Sequence, residues 1–361
     1  MTIAQAFPVG EYLSDELEAR GWSQQDFAEI IGRPVQFISE IISGKRELTK
    51  ESAAQIAMAF GASPELWLNL QTQYQVWVQS QDADFQEKLS NIERKARQRE
   101  LAPVSLLIKR GIVQAGTLDE IDQQLLDLYE VDSFDTKSSY SLAARKTDST
   151  DEISATQLAW ALSVRKKAKI AQENIGEYSL ANFENLSEKI AKISVAPERF
   201  IDLQELFFAA GVGLFYVENF PGAKIDGVTF MLGNNPIIGL SGRGKRLDKV
   251  FFTLCHEMSH ILNKDVSETE FRVDENLGSG IDLNVQETAA DIRASKIILA
   301  GEELSDPPVN IRADWVNKEA ERLGVHPIIV VGRLQSQGKL DWRTTLAKGA
   351  PNVDQYMLEW K

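Results

Sequence analysis

The run Phe251-Phe-Thr-Leu-Cys-His-Glu-Met-Ser-His260 constrains the fold of this 361-residue chain more than any other stretch. It holds a His-Glu-x-x-His pattern in a strongly apolar setting, and the whole sequence has only three histidines. If the run is a helix, i and i+4 spacing sets His256 and His260 on one face, where two imidazoles can share a cation. Glu257 then lies about 100° around the helix, placed to reach a water beside the metal rather than the metal itself. Zinc is the expected ion, because catalytic zinc commonly takes two histidines and a carboxylate and keeps one position open. The plain alternative is a pair of core or solvent-facing histidines. The apolar residues that lead into the motif favour a buried site helix instead.

A third ligand is expected from a second helix. Glu287-Thr-Ala-Ala-Asp291 again spaces two acids at i and i+4, and the apolar stretch Ile292 to Leu299 that follows suits packing against the first helix. Glu287 is the favoured ligand. Asp291 is the favoured acceptor for the ring N–H of a ligating histidine, a contact that fixes the tautomer. An ordinary acidic helix start would give the same residues, and Glu268, Glu270, Asp274, Glu275 and Asp282 are other nearby carboxylates. Cys255 points away from the first ligand's face and reads as a buried structural thiol.

With these two helices, the chain over roughly 140–340 resembles the ImmA/IrrE family of metallo-endopeptidases, through His256, Glu257, His260, Glu287, Ala290 and Asp291. Arg293-Ala294 stands where many relatives have Phe-Ala, a departure that touches packing rather than the metal. The resemblance implies a zincin-like domain and amide hydrolysis assisted by zinc, with Glu257 taking a proton from water and delivering it to the leaving amine. It also asks for an oxyanion stabiliser, and His326 in Gly324-Val-His-Pro is the candidate. The alternative for His326 is a residue at the start of the next helix. A strand at 212–217 and a hairpin at 227–240 fit a small sheet ahead of the motif. The hairpin offers an edge to which a peptide substrate can add as a strand.

The first 75 residues have a different texture. Gly21 and Gly32 are helix stops, Ser23 and Thr49 are N-caps, and Pro34 suits the first turn of a helix. Ser23-Gln-Gln-Asp-Phe-Ala28, Ile38-Ser-Glu-Ile-Ile-Ser-Gly-Lys-Arg46 and Trp67-Leu-Asn-Leu-Gln71 resemble the XRE/Cro-type helix-turn-helix, most closely the HigA-antitoxin variety. That resemblance implies a reading helix from about Pro34 to Ile42 in the major groove of an operator. Arg33, Gln36 and Ser39 are then base or phosphate contacts, and Gln24, Lys45 and Arg46 phosphate contacts. A homodimer on two half-sites is expected. A helical module used only for protein contacts is the alternative. The helix-turn-helix pattern at Lys318 to Arg333 is poor in cations and reads as part of the peptidase fold.

The expected architecture is mainly α with a small β-sheet (α+β). Its parts are an all-α helix-turn-helix over 1–75, a helical connector over 76–135, the metallopeptidase domain over 136–345 and a tail over 346–361. A hydrophobic fraction of 43% beside 25% charged residues is that of a globular protein. No apolar run reaches a membrane span and no secretory leader is visible, so a cytoplasmic protein with no membrane partner is expected. One cysteine excludes an intramolecular disulfide. A formal charge of −14 argues against indiscriminate nucleic-acid binding. The leading reading is a DNA-binding regulator with its own zinc endopeptidase, acting on a partner regulator or on itself in a stress, mobile-element or toxin–antitoxin setting. The second is an antitoxin-like repressor whose metal domain senses or binds a partner without cutting it.

Overall fold

The computed structural model describes residues 5–136, 145–146, 153–266, 271–274 and 285–361, with 145–146 and 272–274 as backbone alone. It divides into two compact units, Met1–Ala96 and Arg97–Lys361.

The first unit is all helical: α1 (Val9–Arg20), α2 (Gln24–Ile31), α3 (Val35–Ile42), α4 (Lys50–Phe60), α5 (Pro64–Gln81) and the start of α6 (Ala83–Leu101). Its punctuation follows the sequence. Ser23 caps α2 through a reciprocal box, its Oγ accepting from Asp26 N at 3.1 Å while Asp26 accepts from Ser23 N at 2.8 Å. Gly32 ends α2 at φ 66°, a left-handed conformation that a side chain would oppose and that turns the chain into α3. Leu13, Leu17, Phe27, Ile38, Ile41, Ile56 and Trp67 close the core. Phe60 stacks on Phe27 with ring centroids 4.9 Å apart, tying α4 to α2.

The second unit begins within α6 and continues through α7 (Val104–Lys109), α8 (Leu118–Tyr129), β1 (Arg145–Lys146), α9 (Ala155–Ala171), α10 (Leu180–Lys189), α11 (Leu203–Ala209) and β2 (Gly213–Tyr216). The hairpin β3 (Gly227–Leu232) and β4 (Asn235–Leu240) leads into α12 (Leu247–Asn263). Then come β5 (Arg272–Asp274), α13 (Val285–Ile297), α14 (Ala313–Leu323), α15 (Pro327–Ser336) and the short α16 (Asp354–Met357). The five strands run in the order β1-β5-β3-β4-β2. The expected mainly-α chain with a small sheet is the one observed.

β2, β3 and β4 are buried on both faces, which is why they read as nearly unbroken apolar runs. Leu214, Tyr216, Ile238 and Leu240 join the core around α12, whereas Phe215, Val228, Phe230 and Ile237 join the core around α8 and α9. Strand periodicity does this sorting, with successive residues facing opposite cores. The edge of the hairpin expected to take an added strand is paired over the first half of β3. β4 pairs with β2 on its far side, and Gly227, Val228 and Thr229 of β3 pair with Asp274, Val273 and Arg272 of β5.

Two boundaries also differ from those expected. Residues 97–135 are not a free connector: Leu107, Val113, Leu125 and Tyr129 share a core with Trp160 of α9 and with the sheet. Nor is 346–361 a loose tail. Val353, Met357 and Trp360 are buried, Trp360 Nε1 donates to Phe200 O at 2.9 Å, and Leu247 N at the start of α12 donates to Pro351 O at 2.9 Å. The final segment thus anchors the first turn of the helix that carries the His-Glu-x-x-His motif.

The segment after α13 is fastened to α14 by one carboxylate. Glu319 accepts from Arg322 Nη2 at 2.7 Å, Ser305 N at 2.7 Å and Ser305 Oγ at 3.0 Å. The Arg322 hydrogen bond is the main cause that holds its pKa at about 2, well below the usual carboxylate range. A depressed folded-state pKa gives stability that is complete above the unfolded value and lost as pH falls through the folded one. Glu319→Gln is expected to lower the unfolding midpoint at pH 7, and the gap from the parent protein should close between about pH 4.5 and 2. Calorimetric scans across that range measure it, and a gap independent of pH would contradict the assignment.

Candidate metal centre and DNA-reading face

α12 lies between the sheet and α13, so the polar motif is enclosed on both sides. His256, Glu257 and His260 have no exposed surface and Glu287 is 1% exposed. His256 Nε2 lies 2.9 Å from His260 Nε2 and 3.1 Å from Glu287 Oε2, and His260 Nε2 lies 3.4 Å from the same oxygen. Helical spacing makes the first approach, and the packing of α13 on α12, with Ala290 and Ala294 fully buried, brings the carboxylate in. His256 Nδ1 faces Asp291 Oδ1 at 2.8 Å, and that carboxylate takes the ring N–H. The neutral ring then offers only the lone pair of Nε2 toward the other two atoms.

Acceptors this close repel unless a cation or a proton sits between them. Ligands about 2.0–2.1 Å from a tetrahedral zinc stand roughly 3.3 Å apart, near the spacings found here. The donor set of two imidazoles and one carboxylate therefore fits a divalent cation. Among the described residues no other group of His, Cys, Asp and Glu draws together in this way. Glu268, Glu270, Glu275 and Asp282 lie outside the described residues, and Asp274 is described only as backbone in β5.

Glu257 leaves this cluster for the sheet. Thr229 of β3, itself 1% exposed, donates its hydroxyl to Glu257 Oε2, and a Cβ built on Gly227 would overlap the other carboxylate oxygen. A side chain at 227 would have to displace the Glu257 carboxylate from this position. Sequence reasoning missed Thr229, because a hydroxyl on a strand 28 residues away leaves no local signal. It missed Asp265 as well, whose Oδ2 lies 3.7 Å from His260 Nδ1. A signal for Asp265 did exist. It follows the end of α12, where Lys264 turns left-handed and Asp265 N donates to His260 O at 2.9 Å.

His326 is not brought to the cluster. It caps α15, Nδ1 accepting from Ile328 N at 3.1 Å, and its charged neighbour is Asp248, two turns before His256 on α12. Burial pushes its pKa down, with Asp248 opposing. This is the helix-start role held open for it above. Cys255 is fully buried, and burial pushes its thiol up, in keeping with a structural role.

In the first unit Gln24, Gln36, Ser39, Lys45 and Arg46 are all exposed along the α2–α3 face. Arg33 is committed elsewhere. Its Nε donates to Gln55 Oε1 at 3.0 Å and its Nη2 to Glu51 Oε1 at 2.5 Å, fastening the turn before α3 to α4. Glu40 accepts from Gln36 Nε2 at 2.9 Å and from Arg46 Nε at 2.6 Å.

Comparison with known proteins identifies this unit. Residues 13–67 match the HTH_3 helix-turn-helix family. An uncharacterised HTH-type transcriptional regulator of Haemophilus influenzae is 35% identical over 86 residues, covering 24% of this chain and 80% of that protein. The chain belongs to the HTH-type transcriptional regulators. YddM of Escherichia coli, another uncharacterised HTH-type regulator, is 32% identical over 62 residues, 17% of this chain and 66% of its own. An addiction-module antidote protein of the HigA family from Coxiella burnetii is 29% identical over 25% of this chain and 92% of its own, with a TM-score of 0.22.

As an HTH regulator the chain binds DNA, and α2 and α3 are its helix pair. No helix among the described residues is long and apolar enough to cross a membrane. The regulator's second unit carries its own check on the site geometry. Gly227→Ala is expected to destabilise the protein by about 1–3 kcal/mol through overlap with Glu257. Adding Glu257→Ala removes the overlapping carboxylate, so the double variant should be more stable than the two single losses summed. Denaturant titrations of all four proteins test this, and strict additivity would remove Gly227 from beneath the carboxylate.

Proposed function

We propose that this regulator couples DNA binding to a zinc-dependent endopeptidase. His256, His260 and Glu287 hold the metal, and Glu257 is the general base. The observation that carries the reading is the buried triangle of His256 Nε2, His260 Nε2 and Glu287 Oε2, with separations of 2.9, 3.1 and 3.4 Å. When bound, zinc supplies Lewis-acid polarisation of a peptide carbonyl and makes water acidic enough to attack near neutral pH.

The chain's own residues do the rest. Asp291 fixes the His256 tautomer so that Nε2 faces the metal, and Asp265 lies on the corresponding side of His260. Glu257, held at Thr229, takes a proton from the attacking water and returns it to the amine that leaves. His326 accepts at Nδ1 from Ile328 N, which leaves the proton of its neutral ring on Nε2, and an oxyanion-stabilising role for it would rest on that N–H. The protein substrate is a partner regulator or the chain itself, and the regulator acts as a homodimer on a two-fold operator. The resemblance to the ImmA/IrrE peptidases, carried by the two site helices, favours cleavage over metal sensing without cleavage.

Metal analysis of the purified protein is the direct test. About one zinc per chain is expected, absent from His260→Ala, with Asp291→Asn binding zinc roughly 10- to 100-fold more weakly. Glu257→Gln should keep zinc and DNA binding and abolish cleavage. A folded protein that takes up no zinc at micromolar free ion would sink the peptidase reading and leave the DNA-binding regulator intact.

A further inference from the structure

The reading helix α3 carries an acid on a surface that must approach phosphates. Glu40 accepts from both Gln36 Nε2 at 2.9 Å and Arg46 Nε at 2.6 Å. Arg46 comes first among the causes that hold the Glu40 carboxyl below the usual carboxylate range, and Gln36 second. An ionised carboxylate can only accept, so the Gln36 amide must turn its NH2 toward Glu40 and its oxygen away. A glutamine free to rotate presents its donor and acceptor in either order. One held at its nitrogen presents a single order.

That order matters in the major groove. Adenine offers an N6 donor beside an N7 acceptor, the complement of one amide oxygen and one amide N–H, whereas guanine offers two acceptors. The amide NH2 has two hydrogens, so one remains for the base when the other is given to Glu40. Arg46 is held at the same time. Its guanidinium stands 5.2 Å from the Phe37 ring centroid, with Arg33 at 5.3 Å from the same ring, and Glu40 completes its surroundings. A phosphate must compete with that carboxylate for Arg46.

We propose that Glu40 is a positioning residue for DNA recognition: it orients Gln36 to read an adenine and restrains Arg46, so that sequence-independent binding stays weak. The proposal rests on α3 being the major-groove helix of this regulator.

The test uses the full-length protein and a pool of DNA duplexes with a randomised core, sequencing the bound fraction. The chosen duplex and a scrambled one are then titrated across salt. The parent protein should select a motif with an adenine whose preference disappears in Gln36→Ala. In Glu40→Ala that preference should broaden, and affinity for the scrambled duplex should rise about three- to tenfold with a salt slope steeper by about one. Glu40→Gln keeps an amide oxygen facing Gln36, so it should retain the adenine preference while gaining scrambled-duplex affinity. A merely structural role for Glu40 would instead weaken binding to both duplexes together and lower the unfolding temperature, and that result would overturn the proposal. So would an unchanged preference in Glu40→Ala, or a Gln36-dependent position that is not adenine. A parent protein that selects no motif would remove α3 as the reading helix and the proposal with it.

Discussion

Burying His256, Glu257, His260 and Glu287 in one place is costly, because an ionised group taken from water loses several kcal/mol of solvation unless partners replace it. The larger unit answers that cost element by element. α12 supplies three of the four groups, α13 the fourth, and β3 a hydroxyl for Glu257. Asp291, its side chain about a third exposed, stands between the buried His256 and solvent. Glu257, fully buried, lies close against the Gly227 backbone. A helix with this load could not be a surface element. The two-sided sheet behind it is the consequence.

The two units handle charge in opposite ways. In the larger one, acids and imidazoles are drawn inward and oriented. In the smaller one, five Lys and Arg stand against ten Asp and Glu over residues 1–75, so the DNA face has to be made by arrangement rather than by excess. Arg33 is used internally at Gln55 and Glu51, leaving Lys45, Arg46 and the polar Gln24, Gln36 and Ser39 as its outward groups. A weakly positive face limits phosphate attraction, and so places more of the recognition on base contacts.

What the sequence made legible is what short-range periodicity encodes. The motif helix was readable because i, i+4 spacing is a local property, and Glu287 and Asp291 because they repeat that spacing on a helix with an apolar continuation. Caps at Ser23 and Thr49 and the hairpin at 227–240 are equally local. Most of what was missed is long-range. The Pro351 carbonyl meets Leu247 N across more than a hundred residues, and Tyr129 shares a core with strands a hundred residues on. Thr229 reaches Glu257 only because β3 lies alongside α12. The helix-start position of His326, by contrast, is a local feature, since the Pro327 that follows it opens a helix.

The final segment shows how remote packing bears on site geometry. Lys245 pairs with Asp354 at 2.7 Å, Val353 N donates to Lys245 O at 2.9 Å, and Arg246 forms a bridge with Asn352, all at the turn that launches α12. Arg246 then pairs with Asp248 at 2.7 Å inside the first helical turn. Lys245 itself is left-handed, at φ 59°, a conformation that a non-glycine residue holds only when its surroundings enforce it. The helix therefore starts at a fixed point, and a rigid helix of 1.5 Å rise per residue transmits that point to His256 and His260, about two and a half and three and a half turns along. The placement of His256 and His260 is thus tied to a residue cluster near 245–248 and 351–354 that lies away from both.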